Sequence, residues 1–225
     1  MEVKKTMQIN DEQIEYFVRY KNIKKLYLRI EQGKIKINCP MNIPDDFIEH
    51  FLLEQYPKIK KWINQYEPMA IYQDGGYVYF LGRKYPLQCI DMQMKKVVIK
   101  KDRIVVYHRA VEKVLTAFLK DYLLRYIDLK IKYYHQLEPR FPIPDITLKQ
   151  TKRRYGACFY RQNKVSFNPI LVHKSTAFID YVIVHELCHF IEPNHSKEFY
   201  HEVEKWIPDY KAILKEEKQN ANHIT

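Results

Sequence analysis

The stretch Ile179-Asp180-Tyr181-Val182-Ile183-Val184-His185-Glu186-Leu187-Cys188-His189-Phe190 decides the reading of this chain. Apart from Asp180 and the His-Glu-His set, its side chains are aliphatic, aromatic or a thiol, and Ala177-Phe178 extend the run upstream. A helix apolar nearly all round is a buried helix. Residues four apart in a helix differ by about 40° around the axis and about 6 Å along it, so His185 and His189 leave from one face. Burying these polar groups is costly unless they have partners, and a shared metal ion supplies one. Glu186 stands beside them, within reach of a water on that metal. Zn2+ lowers the pKa of such a water toward about 7, where a carboxylate can accept its proton. The spacing H-E-x-x-H in a buried helix thus implies a metal-dependent hydrolase.

A third ligand follows downstream. Glu192-Pro193-Asn194 ends the helix, and His195 comes six residues after His189, far enough for the chain to turn back. Ser196-Lys197-Glu198 reads as a new helix start with Ser196 as N-cap, which would fix His195 at a helix entrance. Glu192 and Glu198 remain alternative third ligands. Cys188, about 100° around the helix from His189, reads as a core residue.

Upstream, the first hundred residues read as strands. Glu15 to Tyr20, Lys25 to Ile30, Lys34 to Cys39, Tyr77 to Leu81, Tyr85 to Ile90, Lys96 to Lys100 and Arg103 to Tyr107 are rich in Tyr, Val, Ile and Leu. Leu26 to Ile30 and Ile35 to Ile37 alternate as a sheet with one wet face does. Turns are expected at Gln32-Gly33, Asp74-Gly75-Gly76 and Gly82-Arg83-Lys84. Pro44-Asp45-Asp46 starts a helix with Phe47, Phe51, Ile59 and Ile63 near one face, and Pro57 suggests a division into two. Val111, Leu115, Phe118, Tyr122, Tyr126, Leu129 and Tyr133 define a long helix from about Ala110 to Gln136. Short strands follow at Ile146 to Lys149 and Lys164 to Asn168, and the polar tail from Lys215 to Thr225 is expected to fray. The fold class is therefore α+β: a β-rich N-terminal region, 1–109, packed on a helix-rich domain, 110–225.

The 225 residues carry a net charge of +11, and 46% are hydrophobic, which excludes a disordered chain. No run of about 18 apolar residues predicts a membrane span, and the N-terminus has no apolar leader segment. Cys39, Cys89, Cys158 and Cys188 form no C-x-x-C pair, which fits a reducing, cytoplasmic setting. The basic charge admits nucleic acid as a partner, although the lysines are scattered along the chain.

Other residues extend the motif into a family pattern. Tyr155-Gly156-Ala157-Cys158 precedes Asn168-Pro169-Ile170-Leu171, then Tyr181-Val182-Ile183-Val184-His185-Glu186-Leu187-Cys188-His189, Asn194-His195-Ser196-Lys197-Glu198-Phe199 and Trp206-Ile207-Pro208-Asp209-Tyr210. Together with Val18-Arg19-Tyr20 to Ile30 and Leu81-Gly82-Arg83-Lys84-Tyr85-Pro86-Leu87, this resembles the YgjP-like metallopeptidase family over most of the chain. The resemblance implies a zincin-like domain with His185, His189 and His195 as Zn2+ ligands, Glu186 as the catalytic base and a peptide or protein as substrate. Tyr155 stands where the family usually has Trp, and Ala157 where it usually has Ser. The more distant likeness to SprT and Wss-type proteases implies an alternative, a nucleic-acid-associated protease acting on DNA-bound proteins. A non-catalytic zinc-binding interaction module is a further alternative, which the retained Glu186 disfavours. Tyr155, His173, Tyr200 and His201 are the candidates for stabilising an oxyanion. Lys164 to Asn168 reads equally as a strand that presents main-chain groups to an extended peptide and as a plain structural hairpin strand.

Overall fold

The structure, a computed structural model, describes residues 2–31 and 33–224. The fold is α+β, and contacts divide the chain into two compact units: residues up to Pro68 together with those from Lys218, and Met69–Glu217.

In the first unit, β1 (Glu2–Ile9), β2 (Glu12–Lys21), β3 (Tyr27–Glu31) and β4 (Lys34–Pro40) form a sheet in the order β1-β2-β4-β3. Strand β1 is not expected from the sequence, because its alternation is mostly of polar residues. Its register, Val3 opposite Val18 and Met7 opposite Ile14, comes from pairing with β2. Of the turn expected at Gln32-Gly33, Gln32 lies outside the described residues. Tyr16, Val18, Ile35, Ile37 and Cys39 bury one face against Ile48, Leu52 and Ile59 of helix α1 (Asp45–Gln65).

This helix corrects two expectations. It is one helix through Pro57 rather than two. An interior proline costs about 3 kcal/mol, but Ile48, Leu52 and Ile59 on the buried face each return about 1.5–3 kcal/mol, and Pro57 itself lies on the exposed side. The buried face is also shifted from the expected one: Ile59 is buried as expected, but Phe47 and Ile63 are exposed, and the other core positions are Ile48, Leu52 and Tyr56.

The second unit opens with a sheet of β5 (Ala70–Ile71), β6 (Tyr77–Phe80), β7 (Arg83–Cys89), β8 (Gln93–Ile99) and β9 (Ile104–His108), ordered β5-β6-β7-β9-β8. Helix α2 (Val111–Leu137) follows. Its core stripe is Leu115, Leu119, Leu123, Ile127 and Ile131, one residue every four, whereas Leu129 and Tyr133 of the expected stripe are exposed. Val78, Leu87, Ile104 and Val106 of the sheet share one core with α2 and with α3 (Thr176–Cys188). That shared core is why the compact unit begins at Met69, whereas the sequence places a soft boundary near Ala110.

A second, small sheet has β12 (Lys164–Phe167) at its centre, with β10 (Asp145–Leu148) parallel on one side and β11 (Gly156–Phe159) antiparallel on the other. Helices α4 (Lys197–Trp206) and α5 (Tyr210–Ile224) complete the order. The tail expected to fray is helical to Ile224, and Thr225 lies outside the described residues. Among the described residues no helix is long and apolar enough to cross a membrane.

Candidate metal centre

Helix α3 is placed before its functional residues begin. Ser175 caps it, with Oγ accepting from the Phe178 N–H at 3.2 Å. Gly82 packs on this cap so closely that a Cβ there would meet Ser175 Cα at 2.9 Å. Asp180, the one charge in the first half of the helix, accepts from Tyr126 Oη at 2.7 Å and Lys130 Nζ at 2.6 Å on α2. Buried Phe178, Ile179, Val182, Ile183 and Leu187 cover most of the remaining circumference, as the sequence requires.

The open arc carries the chemistry. His185 and His189 are partly buried, and the chain turns after Cys188, where Ile191 N and Glu192 N both donate to the Cys188 carbonyl. His195 arrives beside them, held at the entrance of α4 by Ser196, whose Oγ accepts from Phe199 N at 3.2 Å. One ligand nitrogen from each of His185, His189 and His195 lies within 4.8 Å of the others. His185 Nε2 and His195 Nε2 are 3.1 Å apart. Two nitrogens bound tetrahedrally to one zinc at about 2.0–2.1 Å stand roughly 3.3 Å apart, so the pair fits a common ion. Burial and the neighbouring imidazoles push His185 down to about 3, and burial lowers His189. Both rings are thus neutral at pH 7, the form that binds metal.

The rings are also oriented from behind. Tyr181 Oη contacts His185 Nδ1 at 3.3 Å, leaving Nε2 for the cluster. The main chain of Glu192 and Pro193 hydrogen-bonds the His189 ring. Such outer partners fix ligand tautomer and direction. Phe199, fully buried, packs against all three imidazoles with centroid separations of 4.9, 4.5 and 4.8 Å. Sequence reasoning did not single out Phe199 as part of the site. Its signal was its place four residues after His195 on the apolar face of α4.

Glu186, the next residue and about 100° around the helix from His185, lies against strand β11 of the small sheet. The Cys158 N–H donates to its carboxylate, and Arg154 opposes from a distance, yet burial dominates and pushes the carboxyl up to about 7. The carboxylate fits there because residue 156 is glycine: a Cβ on Gly156 would lie 2.5 Å from Glu186 Oε1 and 2.8 Å from Cδ. The Tyr155-Gly156-Ala157-Cys158 segment therefore seats the carboxylate with main chain alone, without the serine hydroxyl that Ala157 lacks.

The remaining sequence candidates separate cleanly. Glu192 and Glu198 are not in the cluster, and Cys188 is buried, which pushes its thiol up. Tyr155 is packed on Phe178 and donates to Glu217 Oε1, and His173 contacts the Tyr79 carbonyl, so both are committed elsewhere. His201 is exposed. Tyr200, stacked on Tyr210, lies 6.1 Å from the His195 ring. The strand read as either peptide-facing or structural, β12, is paired on both sides and has no free edge. Its neighbours β10 and β11 are the outer strands, and β11 is the one against which Glu186 lies.

A family model described as YgjP-like, metallopeptidase domain, matches residues 24–220. No curated protein matches the chain. Among solved structures, the metallopeptidase zymogen of Pyrococcus abyssi abylysin is similar at 17% identity, with 42% of this chain and 93% of that chain covered and a TM-score of 0.39.

Proposed function

Because the chain belongs to the YgjP-like metallopeptidase domain family, we propose that it hydrolyses peptide bonds with one zinc ion held by His185, His189 and His195 and with Glu186 as the catalytic base. The observation that carries this reading is the pairing of three converging imidazoles with an adjacent buried carboxylate. When bound, the ion supplies Lewis acidity that polarises a carbonyl and acidifies water. Glu186 takes the proton of the attacking water and returns it to the leaving amine. Its seat against Gly156 and the Cys158 N–H fixes the carboxylate for both transfers. The peptide pairs along the open edge of β11, where main-chain groups are available to an added strand. Tyr200 is the candidate to donate toward the oxyanion. The four free cysteines fit a cytoplasmic setting.

The test is metal content and proteolysis in parallel. Wild type is expected to hold about one zinc per chain and to cleave unfolded protein. His195→Ala should lose the metal, and Glu186→Gln should keep it while losing activity by about 10²–10⁴-fold. A wild type that stays metal-free after zinc is supplied removes the metal site, and undiminished turnover in Glu186→Gln removes the base.

A further inference from the structure

The small sheet has two faces with different chemistry. Val165 and Phe167 of β12 point into the core, together with Cys158 of β11. The alternate residues point outward and line a basin of about 250 Å³, which includes Thr147, Lys149, Arg154, Ala157, Lys164 and Ser166. Pairing explains why they meet: Ala157 and Thr147 both stand opposite Ser166, on its two sides. The basin wall is held by Asn168, whose Nδ2 donates to the carbonyls of Thr151 and Arg154 at 2.8 and 3.1 Å.

Its charge is one-sided. Lys149, Arg154 and Lys164 line it, no acid does, and none of these three cations forms an ion pair with a described residue. The nearest acid along the sheet, Asp145, stands opposite Lys164 in the β10–β12 register without bridging to it. Elsewhere on the second unit, surface cations are commonly paired, as Arg125 is with Asp121 and Lys132 with Asp128.

Strand pairing connects this basin to the cleavage site. Side chains of paired strands share faces, so on a peptide added at the β11 edge the residue opposite Ala157 points onto the basin. Its neighbours along the chain point to the opposite face, where Glu186 lies against Gly156. We propose that the basin is a specificity subsite of the peptidase that takes an acidic side chain of the substrate, Asp or Glu, next to the cleaved bond. This inference rests on the edge-strand reading of substrate binding given above. Lys149, Arg154 and Lys164 supply charge-assisted hydrogen bonds to the carboxylate, and Ser166 and Thr147 supply hydroxyls.

The experiment uses the full chain in two forms, wild type and Lys149→Glu/Lys164→Glu, with Lys24→Glu/Lys25→Glu as the control for an equal change in net charge. Zinc-loaded protein cleaves a mixture of proteome-derived peptides, and the cut sites are mapped by mass spectrometry. The wild type and the control should enrich Asp and Glu at one position beside the cut, and the basin variant should shift that position toward Lys and Arg. A shift in preference is a gain that misfolding does not produce. An unselective wild type, or a basin variant with the wild-type profile, overturns the proposal. In parallel, Glu186→Gln protein is titrated into fluorescein-labelled alternating Ala-Glu and Ala-Lys peptides and labelled oligothymidylate. The Ala-Glu peptide should bind about tenfold more weakly when the basin lysines are reversed and unchanged in the control. Equal binding in all forms, or basin-dependent binding of the oligonucleotide alone, overturns the acidic-peptide assignment. A protein that binds the acidic peptide through the basin but cuts nothing fails the peptidase reading and the subsite's place beside a cleaved bond, and keeps only the basin's binding of acidic side chains.

Discussion

Replacing Gly156 by alanine is the sharpest perturbation of the proposed catalytic carboxylate, Glu186, that leaves every candidate metal ligand untouched. The added Cβ would stand 2.5 Å from Glu186 Oε1, 2.7 Å from Cγ and 2.8 Å from Cδ, where ordinary contact begins at 3.4 Å. Relief of the worst overlap needs a shift of 3.4 − 2.5 = 0.9 Å, by the carboxylate or by strand β11. Glu186 is the freer of the two, since β11 is tied to β12 along four residue pairs. A displacement of about 1 Å in a reacting group costs about 10²-fold in rate, equivalent to about 2.7 kcal/mol of barrier. Overpacking also lowers stability by about 1–3 kcal/mol. The assay is hydrolysis of labelled casein by zinc-loaded Gly156→Ala, with zinc content and the urea midpoint measured on the same preparation. The expected result is full zinc occupancy, a modest fall in the midpoint and activity near one hundredth of wild type. Activity within about threefold of wild type, at full zinc occupancy, would refute the argument that the main chain at residue 156 seats the base.

Three further outcomes follow from the packing around the site. Phe199→Ala removes a fully buried ring that touches all three imidazoles; it should destabilise the fold by about 3–5 kcal/mol and weaken zinc affinity by about 10–100-fold, read by competition with a chelator, and unchanged affinity would remove its supporting role. Glu217→Gln leaves the buried Lys174 ammonium without the carboxylate now 2.7 Å away; a loss of about 3–5 kcal/mol in urea unfolding is expected, and a loss under about 1 kcal/mol would count against a buried, unscreened pair. His173 is held neutral by burial, so its folded pKa lies below the ordinary 6.5. The unfolded chain then takes up the proton first, and the stability that His173 contributes is present above pH 6.5 and is lost as pH falls below it. Wild type should therefore lose more stability than His173→Gln between pH 7.5 and pH 5, and parallel declines in the two urea series would contradict this.

The sequence by itself determined the local chemistry. Helical spacing sets His185 and His189 on one arc whatever surrounds them, the apolar residues between them demand burial, and Glu192-Pro193-Asn194 followed by Ser196 dictates a break and a new cap that delivers His195. The α+β class was equally legible, because strand and helix periods are local properties. Faces were less so. Aromatic and aliphatic residues occur around much of α1 and α2, and only the opposing sheet and helices select Ile48, Leu52 and Ile59 over Phe47 and Ile63, or Leu119 and Leu123 over Leu129. Tertiary structure alone decided which strand keeps an open edge. Lys164–Phe167 and Gly156–Phe159 are both short, and pairing order makes the first central and the second peripheral. The same order brought Gly156 and the Cys158 N–H to Glu186 across 30 residues of chain or fewer and gathered Lys149, Arg154 and Lys164 around one basin. Contacts between segments apart in sequence depend on which faces bury together, and a local pattern fixes the face only when one side is unambiguously polar.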